Sequence, residues 1–260
     1  MPFREAGGLR FFQFESLANP NLDHAILTRQ GGVSPAPWNS LNFGRTVGDA
    51  DSRVTENIGR GLGIIGHSLD QVFDVWQVHS ATVVRSDGPN LARGHLKADA
   101  IITDRPGVTL MMRFADCVPI MIYDPQHRAV GVAHAGWLGS VRGMAAELVR
   151  SMQVEFGSMP DELVAGIGPS IGPDHYAVGD DVVAQFEAAH GDPARIYFHS
   201  INGAIHLDLW SANEAQLRSA GVNSIEVSGI CTACNLHDWY SHRGENGATG
   251  RFGAYLGIRD

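Results

Sequence analysis

Short apolar segments with the residue types of β-strands recur along most of this chain, and no other feature of the sequence restricts its fold as strongly. The segments are residues 25–28, 72–78, 82–85, 100–103, 109–114, 120–123, 129–134, 163–167, 204–208, 224–227 and 254–258. Helical periodicity is confined to residues 51–63, 140–155, 179–189 and 209–220. Because strands and helices do not alternate strictly, the pattern favours an α+β fold built on mixed β-sheets.

The length of the chain is compatible with one domain. Its 260 residues, of which 44% are hydrophobic, can bury one substantial core. Because no repeat, low-complexity tract or long linker divides the sequence, we predict a single domain over residues 1–260.

Charge and hydropathy limit the partners and the compartment. The net charge is −9 and Lys plus Arg total only 19, so we expect neither nucleic acid nor an anionic membrane as a partner. The N-terminus lacks the basic and apolar regions of a signal peptide, and no run approaches about 18 apolar residues. We therefore expect a soluble, cytoplasmic protein that acts on small molecules.

Three residue types that bind soft metals occur at the ends of consecutive apolar segments: His79, Cys117 and His134. Each is followed by a break in the apolar pattern, where rigid scaffolds present catalytic groups. A thiolate and two imidazoles form a three-ligand zinc site whose fourth position is open to water or substrate, as in catalytic zinc sites. The spacings match no short metal motif, so a buried cysteine and two structural histidines remain the alternative.

The other two cysteines form a Cys-Thr-Ala-Cys pair, Cys231 and Cys234. This pair could be redox-active, or it could be half of a second zinc site completed by His237. A single CxxC without a second pair is a weak signal, so a pair with neither role is the stronger interpretation.

Nine ordered motifs give the chain a resemblance to a known family. They are residues 28–34 (Thr-Arg-Gln-Gly-Gly-Val-Ser), 40–42, 77–79, 98–100, 115–119, 133–137, 168–172, 231–232 and 241–243. On these motifs the chain resembles the YfiH family, also called the laccase-domain family. Its members are described as polyphenol oxidases, purine nucleoside phosphorylases or peptidoglycan editing factors. The resemblance implies a layered α/β/β/α fold and a zinc held by His79, Cys117 and His134.

The activity that the resemblance favours is phosphorolysis of purine nucleosides, namely adenosine, inosine and methylthioadenosine, with adenosine deamination as an added activity. Its partners would be a nucleoside and phosphate. A copper polyphenol oxidase ranks lower, because such enzymes need several linked copper centres and the 12 histidines here form no His-x-His pairs. Zinc is therefore the expected metal, with copper second.

Several further residues are candidates for the site. Asp116 could shuttle a proton in deamination, although a structural role for it is open because neighbouring residues on a strand face opposite sides. The candidates for binding an anion or substrate are Arg29, Arg243 and Arg251, together with Asn42 and Gln77. For each of these, a surface ion pair or a satisfied loop polar group is the alternative.

The chain departs from the usual family pattern at two positions. Leu138 follows Trp137 where relatives usually carry Arg, and Gly244 follows Arg243 where they usually carry a second Arg. Two expected cations are therefore missing, and Arg142 is a candidate replacement.

Two other classes of protein remain open on the sequence. A metal-free hydrolase or amidase could use Cys117 as nucleophile and His134 as base, for instance to edit UDP-MurNAc-amino acid precursors of peptidoglycan. The chain could also be a non-enzymatic protein with a structural metal.

Overall fold

The computed structural model describes residues 2–90 and 96–259. The strands are β1 (Phe3–Ala6), β2 (Leu9–Phe12), β3 (Leu22–Leu27), β4 (Val72–Trp76), β5 (Val83–Arg85), β6 (Leu96–Lys97), β7 (Ala100–Thr103), β8 (Thr109–Phe114), β9 (Val118–Asp124), β10 (Ala129–Ala135), β11 (Val164–Ile167), β12 (Phe198–Ile201), β13 (Ala204–Leu207), β14 (Ser224–Val227) and β15 (Phe252–Ile258). The α-helices are α1 (Asp51–Gly63), α2 (Trp137–Val141), α3 (Met144–Phe156), α4 (Asp180–His190) and α5 (Leu209–Ser219).

The strands form two large mixed sheets. The first has the order β1-β2-β3-β15-β8-β4-β6, in which β4 runs parallel to β8 and β6. The second has the order β14-β11-β9-β10-β7-β5, in which β14 is parallel to β11 and β5 is parallel to β7. The other neighbours within these sheets are antiparallel, and β12 pairs with β13 as a separate hairpin.

The two sheets pack face to face, and helices cover their outer faces. Along β8, Leu110 and Met112 point into the core between the sheets, whereas Met111 packs on the side of α1. Along β10, Val132 points into the same central core and Ala133 packs on the side of α3 and α5. This alternation follows from the period-2 geometry of a strand that is buried on both faces. The predicted α/β/β/α layering on mixed sheets is confirmed.

Every strand predicted from the sequence is present, with ends shifted by a few residues. Strands β1, β2, β6 and β12 were not predicted, because they are short and mix charged or polar residues with apolar ones. The helix predicted over residues 140–155 is present as α3 from Met144, but its predicted start is wrong. Arg142 and Gly143 separate α2 from α3, and Gly143 has φ +76°, a left-handed conformation that ends a helix.

Within residues 2–90 and 96–259, no helix is both long enough and apolar enough to span a lipid bilayer.

Candidate metal centre and its cleft

The side chains of His79, Cys117 and His134 converge, with one potential ligand atom from each lying within 4.8 Å of the others. His134 is on β10, and Cys117 is in the short connection between β8 and β9. His79 follows β4 and has φ +58°, so the chain turns sharply there. The antiparallel pairing of β9 with β10, which sets His134 opposite Pro119, brings residues 117 and 134 together.

Asp99 organises this group, and the sequence analysis gave it no role beyond a family motif. Its carboxylate is fully buried and accepts hydrogen bonds from His134 Nδ1 at 3.0 Å and from the backbone N–H of His79 at 3.0 Å. It also accepts from the N–H and hydroxyl of Ser80, at 2.6 and 2.8 Å, and from the N–H of Val78. Because Nδ1 is bonded to Asp99, Nε2 is the ring nitrogen of His134 that can act as a ligand or base.

The surroundings favour charged states of this group. Burial would raise the pKa of Asp99, but its hydrogen bonds to His134 and Ser80 outweigh burial and lower it to about 2. Burial likewise opposes ionisation of Cys117, yet the positive charge of His134 and the two histidine hydrogen bonds lower its pKa to about 6. Burial would lower the pKa of His134, but the Cys117 thiolate and Asp99 raise it to about 9. Cys117 is therefore poised as a thiolate.

Gly136 allows the backbone to approach the thiolate closely. A Cβ at this position would lie 2.7 Å from Cys117 Sγ and 3.4 Å from the His79 ring. Only glycine fits there without displacing the two side chains. Gly136, within the motif at residues 133–137, is thus part of the geometry of the site.

The donor set suits a zinc ion. Two imidazoles and one thiolate are borderline-soft ligands, and a carboxylate orients one imidazole in the manner of histidines in zinc sites. His79 is exposed and Cys117 is partly exposed, so the group is open to the adjoining cleft. Three protein donors facing an open cleft match a catalytic rather than a structural metal site.

The three side chains form part of the wall of a cleft of about 600 Å³, a size suited to a small-molecule ligand. Its described lining residues are Gly44, Arg45, Thr46, Val75, Trp76, Gln77, His79, Arg113, Ala115, Asp116, Cys117, His134, Trp137, Tyr176, His242, Arg243 and Arg251. Trp76 is 54% exposed although it is large and apolar. An exposed indole in a cleft is available to stack on a ligand.

Two of the predicted anion-binding residues, Arg243 and Arg251, lie in this cleft. In the described part of the chain, neither forms a salt bridge. Arg243 Nη1 donates to the carbonyl of Ala177 at 2.7 Å, and its guanidinium stacks 5.0 Å from the Tyr176 ring centroid. Arg251 Nη1 donates to the carbonyl of Gly250 at 2.8 Å, and burial lowers its pKa. Both side chains retain donors that an anion could accept.

The other two arginines of the cleft already have acidic partners. Arg113 forms a close ion pair with the buried Asp74, and Arg45 lies 3.6 Å from Asp51. Their charge is therefore partly neutralised, in contrast to that of Arg243 and Arg251.

Arg29 is placed elsewhere. It is buried, it is absent from the described lining of the cleft, and its guanidinium pairs with Glu245 at 2.9 Å. It also donates to the carbonyls of Asn39 and Leu236. These bonds fasten the segment around residue 245 to the loop after β3, so Arg29 does not face a ligand in the cleft.

Asn42 and Gln77 hold two cleft arginines in position. Asn42 is buried behind the lining, and its Oδ1 accepts the backbone N–H of Arg251 at 2.9 Å. Gln77 does line the cleft, but its amide bonds in both directions to the backbone of Arg113, at 2.8 and 3.0 Å. Both amide side chains thus position an arginine of the cleft.

Asp116 lies in the cleft beside Cys117, which strand alternation had made doubtful. The chain leaves the strand pattern there because Asp116 has φ +84°, so it and Cys117 both reach the cleft. Its carboxylate accepts the hydroxyl of Thr232 at 2.7 Å and the backbone N–H of Arg243 at 2.6 Å. Asp116 therefore ties the segments that carry these residues to the Cys117 turn.

The two departures from the family pattern fall close to this region. Leu138 is on α2, next to the lining residue Trp137, and Gly244 follows the lining residue Arg243. Arg142, the candidate replacement, is absent from the described lining. Its guanidinium instead forms a short hydrogen bond to the carbonyl of His79. Arg142 thus supports the His79 turn.

Comparison with known proteins identifies the family. A family model described as multi-copper polyphenol oxidoreductase laccase matches residues 23–259. The chain belongs to this family.

Two relatives in the laccase-domain family have informative names. A protein of Deinococcus radiodurans named purine nucleoside phosphorylase is 39% identical over 254 residues, which is 97% of this chain and 94% of that protein. A Geobacillus stearothermophilus protein named purine nucleoside phosphorylase YlmD is 37% identical over 90% of this chain and 89% of its own length.

Solved structures in the laccase-domain family share the whole fold. The crystal structure of YlmD from Geobacillus stearothermophilus superposes with a TM-score of 0.92 at 32% identity, covering 100% of this chain and 99% of that one. The Bacillus licheniformis hypothetical protein YfiH gives 0.91 at 33% identity, covering 99% of both chains.

Proposed function

We propose that this protein is a zinc-dependent purine nucleoside phosphorylase that acts on adenosine, inosine and methylthioadenosine, with adenosine deamination as a second activity. The observation that carries the proposal is one cleft that contains His79, Cys117 and His134 together with two arginines, Arg243 and Arg251, that form no salt bridge with any described residue. The names of the relatives, purine nucleoside phosphorylases at 31–39% identity, support the same substrate class.

In this proposal His79, Cys117 and His134 hold the metal. A bound zinc supplies Lewis-acid stabilisation of developing negative charge and lowers the pKa of a bound water. Asp99 fixes the His134 ring by its bond to Nδ1, so that Nε2 would be the nitrogen that holds the metal.

Phosphorolysis requires a phosphate oxygen near C1′ while the C1′–N9 bond breaks with oxocarbenium character. Arg243 and Arg251 are the cations with donors to spare, so we assign phosphate binding to them. Trp76, exposed in the lining, provides a flat apolar surface for the purine ring.

Deamination requires a group that accepts a proton from the attacking water and returns it to the leaving ammonia. Asp116 is the only carboxylate among the described lining residues. Each of its oxygens accepts one hydrogen bond and keeps a lone pair. We therefore assign the proton transfer to Asp116.

Product analysis tests this function. Adenosine is incubated with the protein with and without phosphate, and adenine, hypoxanthine and inosine are followed. We expect adenine release that depends on phosphate, with a slower phosphate-independent formation of inosine. Arg243→Ala should raise the KM for phosphate about 10-fold or more, through the loss of roughly 1.5–3 kcal/mol of charged hydrogen bonding. Arg105→Ala, a change at an arginine outside the described lining, is the control. Equal adenine release without phosphate would contradict the proposal.

A second function is favoured by the hydrogen-bonded chain from Asp99 through His134 to Cys117. This order of carboxylate, imidazole and thiolate is also that of a cysteine hydrolase, with Cys117 as nucleophile and His134 as base. Such an enzyme would act without metal as an amidase, for example on mis-made UDP-MurNAc-amino acid precursors. Metal content separates the two functions, because a zinc-bound thiolate is a poor nucleophile.

A copper polyphenol oxidase is the third candidate and rests on the description of the family model. Within residues 2–90 and 96–259, two separate groups of three or more His, Cys, Asp or Glu side chains could hold a metal ion. One contains two histidines and the other contains one, which is a poor match to linked copper centres.

A further inference from the structure

A second group of metal-binding side chains lies outside the cleft lining. Asp174, His175, Cys231 and Cys234 each place a ligand atom within 4.8 Å of the other three. Two of them come from the turn after β11 and two from the turn after β14. Cys231 is buried and the other three are exposed, so an ion can reach the group from solvent.

Four of the six distances among the four ligand atoms are close to the edges of a tetrahedral zinc site. With Zn–S bonds of about 2.3 Å and Zn–N or Zn–O bonds of about 2.0 Å, a tetrahedron has edges of about 3.5 Å from sulfur to nitrogen or oxygen. Nδ1 of His175 lies 3.5 Å from Cys234 Sγ and 3.8 Å from Cys231 Sγ. The Asp174 carboxylate lies 3.4 Å from Cys234 Sγ and 3.0 Å from His175 Nδ1.

The sulfur of Cys231 is placed as an acceptor. The backbone N–H of Gly172 donates to Cys231 Sγ at 3.2 Å. Bound to a metal as thiolates, the two cysteines together with the Asp174 carboxylate would supply three negative charges, which suits a divalent cation at the centre of the four atoms.

We propose that Asp174, His175, Cys231 and Cys234 form a second, structural zinc site. Four protein ligands leave no open position, which is the form of a structural rather than a catalytic zinc. His237, which the sequence left open as a partner, is outside the group: its side chain is 85% exposed and its Nδ1 contacts Asp238. The true partners are 56 or more residues away in sequence and adjacent only in the fold.

The position of the site indicates what it stabilises. The turn after β14 continues from Cys231 to Thr232, whose hydroxyl bonds to Asp116 in the cleft. The turn after β11 continues from His175 to Tyr176, which lines the cleft under Arg243. A zinc joining the two turns would therefore hold one wall of the cleft against the segment that carries Cys117.

Zinc stoichiometry of the reduced, full-length protein tests the proposal without any activity assay. Metal-free protein is titrated with zinc alone against a chromogenic chelator, and the absorption of the Co²⁺-substituted protein reports thiolate ligation. We expect two zinc ions per wild-type chain and one in Cys234→Ser. His237→Gln is the matched control and should keep two.

His79→Ala separates this site from the metal centre of the cleft. We expect it to lose one zinc, and the double variant His79→Ala/Cys234→Ser to lose both. If the cleft binds no zinc, the wild type would bind a single zinc ion. Cys234→Ser would remove it and His79→Ala would not, and this result would still support the second site. A wild-type stoichiometry unaffected by Cys234→Ser would overturn it. The proposal would also be overturned if the reduced wild type bound a single zinc ion and His79→Ala lost it. Cys231 and Cys234 would then be a free or redox-active pair.

Discussion

Replacing Cys117 by alanine is expected to remove zinc from the cleft and to lower the kcat/KM for phosphorolysis of adenosine at least ~10³-fold, or about 4 kcal/mol of transition-state stabilisation. The substitution removes the only thiolate of the group and leaves two imidazoles, which bind zinc far more weakly. Elemental analysis and steady-state kinetics on the same preparations measure both effects.

The control for this prediction is His237→Gln, a change at an exposed histidine outside the cleft. It should retain zinc and activity, and both variants should unfold at similar denaturant concentrations. A Cys117→Ala protein with full zinc content and full activity would show that the trio is not the metal centre. If the wild type carried no metal and Cys117→Ala still abolished its activity, the result would instead favour the cysteine hydrolase.

The second large effect is expected for Asp99→Asn. The amide keeps the size of the carboxylate but places an NH₂ group where donors from the protein now converge, among them the N–H groups of Val78 and Ser80. We expect zinc affinity in the cleft to fall by about 10–100-fold because His134 loses its anionic partner. The free energy of unfolding should fall by roughly 1–3 kcal/mol, since buried donors are left unpaired.

Zinc competition titrations and urea unfolding measure the two effects of Asp99→Asn. Asp87→Asn is the matched control, because that carboxylate is mostly exposed and its nearest cation, Arg85, is 3.5 Å away. If Asp99→Asn bound zinc as tightly as the wild type, the carboxylate would not be orienting the His134 ligand.

The apolar pattern was sufficient to predict the central strands and an α+β fold on mixed sheets, whereas the α/β/β/α layering was implied by the family resemblance. Runs such as residues 109–114 and 129–134 are buried on both faces, so their composition alone marks them as central strands. Residues at the ends of such runs, His79 and Cys117 among them, were identified as site residues for the same reason. Their convergence depends on strand order, which periodicity does not encode.

The roles of polar residues were harder to assign from sequence, because the sequence does not show which residue a charged side chain pairs with in the fold. Arg29 and Arg243 look alike in sequence, yet Arg29 pairs with Glu245 away from the cleft and Arg243 faces the cleft. Asp99 gives no signal beyond an acid between two alanines, although it contacts both histidines of the trio. For Cys231 and Cys234 the sequence offered only His237 as a possible metal-binding partner, whereas the fold groups them with Asp174 and His175 from another turn.

The most direct test of the account is restoration of activity by metal. Wild-type protein is stripped with a chelator and assayed for adenine release from adenosine in the presence of phosphate, before and after addition of Zn²⁺ or Cu²⁺. The account predicts that the stripped protein is inactive and that zinc, but not copper, restores phosphate-dependent release. Undiminished activity in the stripped protein would contradict it and would leave the thiolate of Cys117 as a nucleophile in its own right.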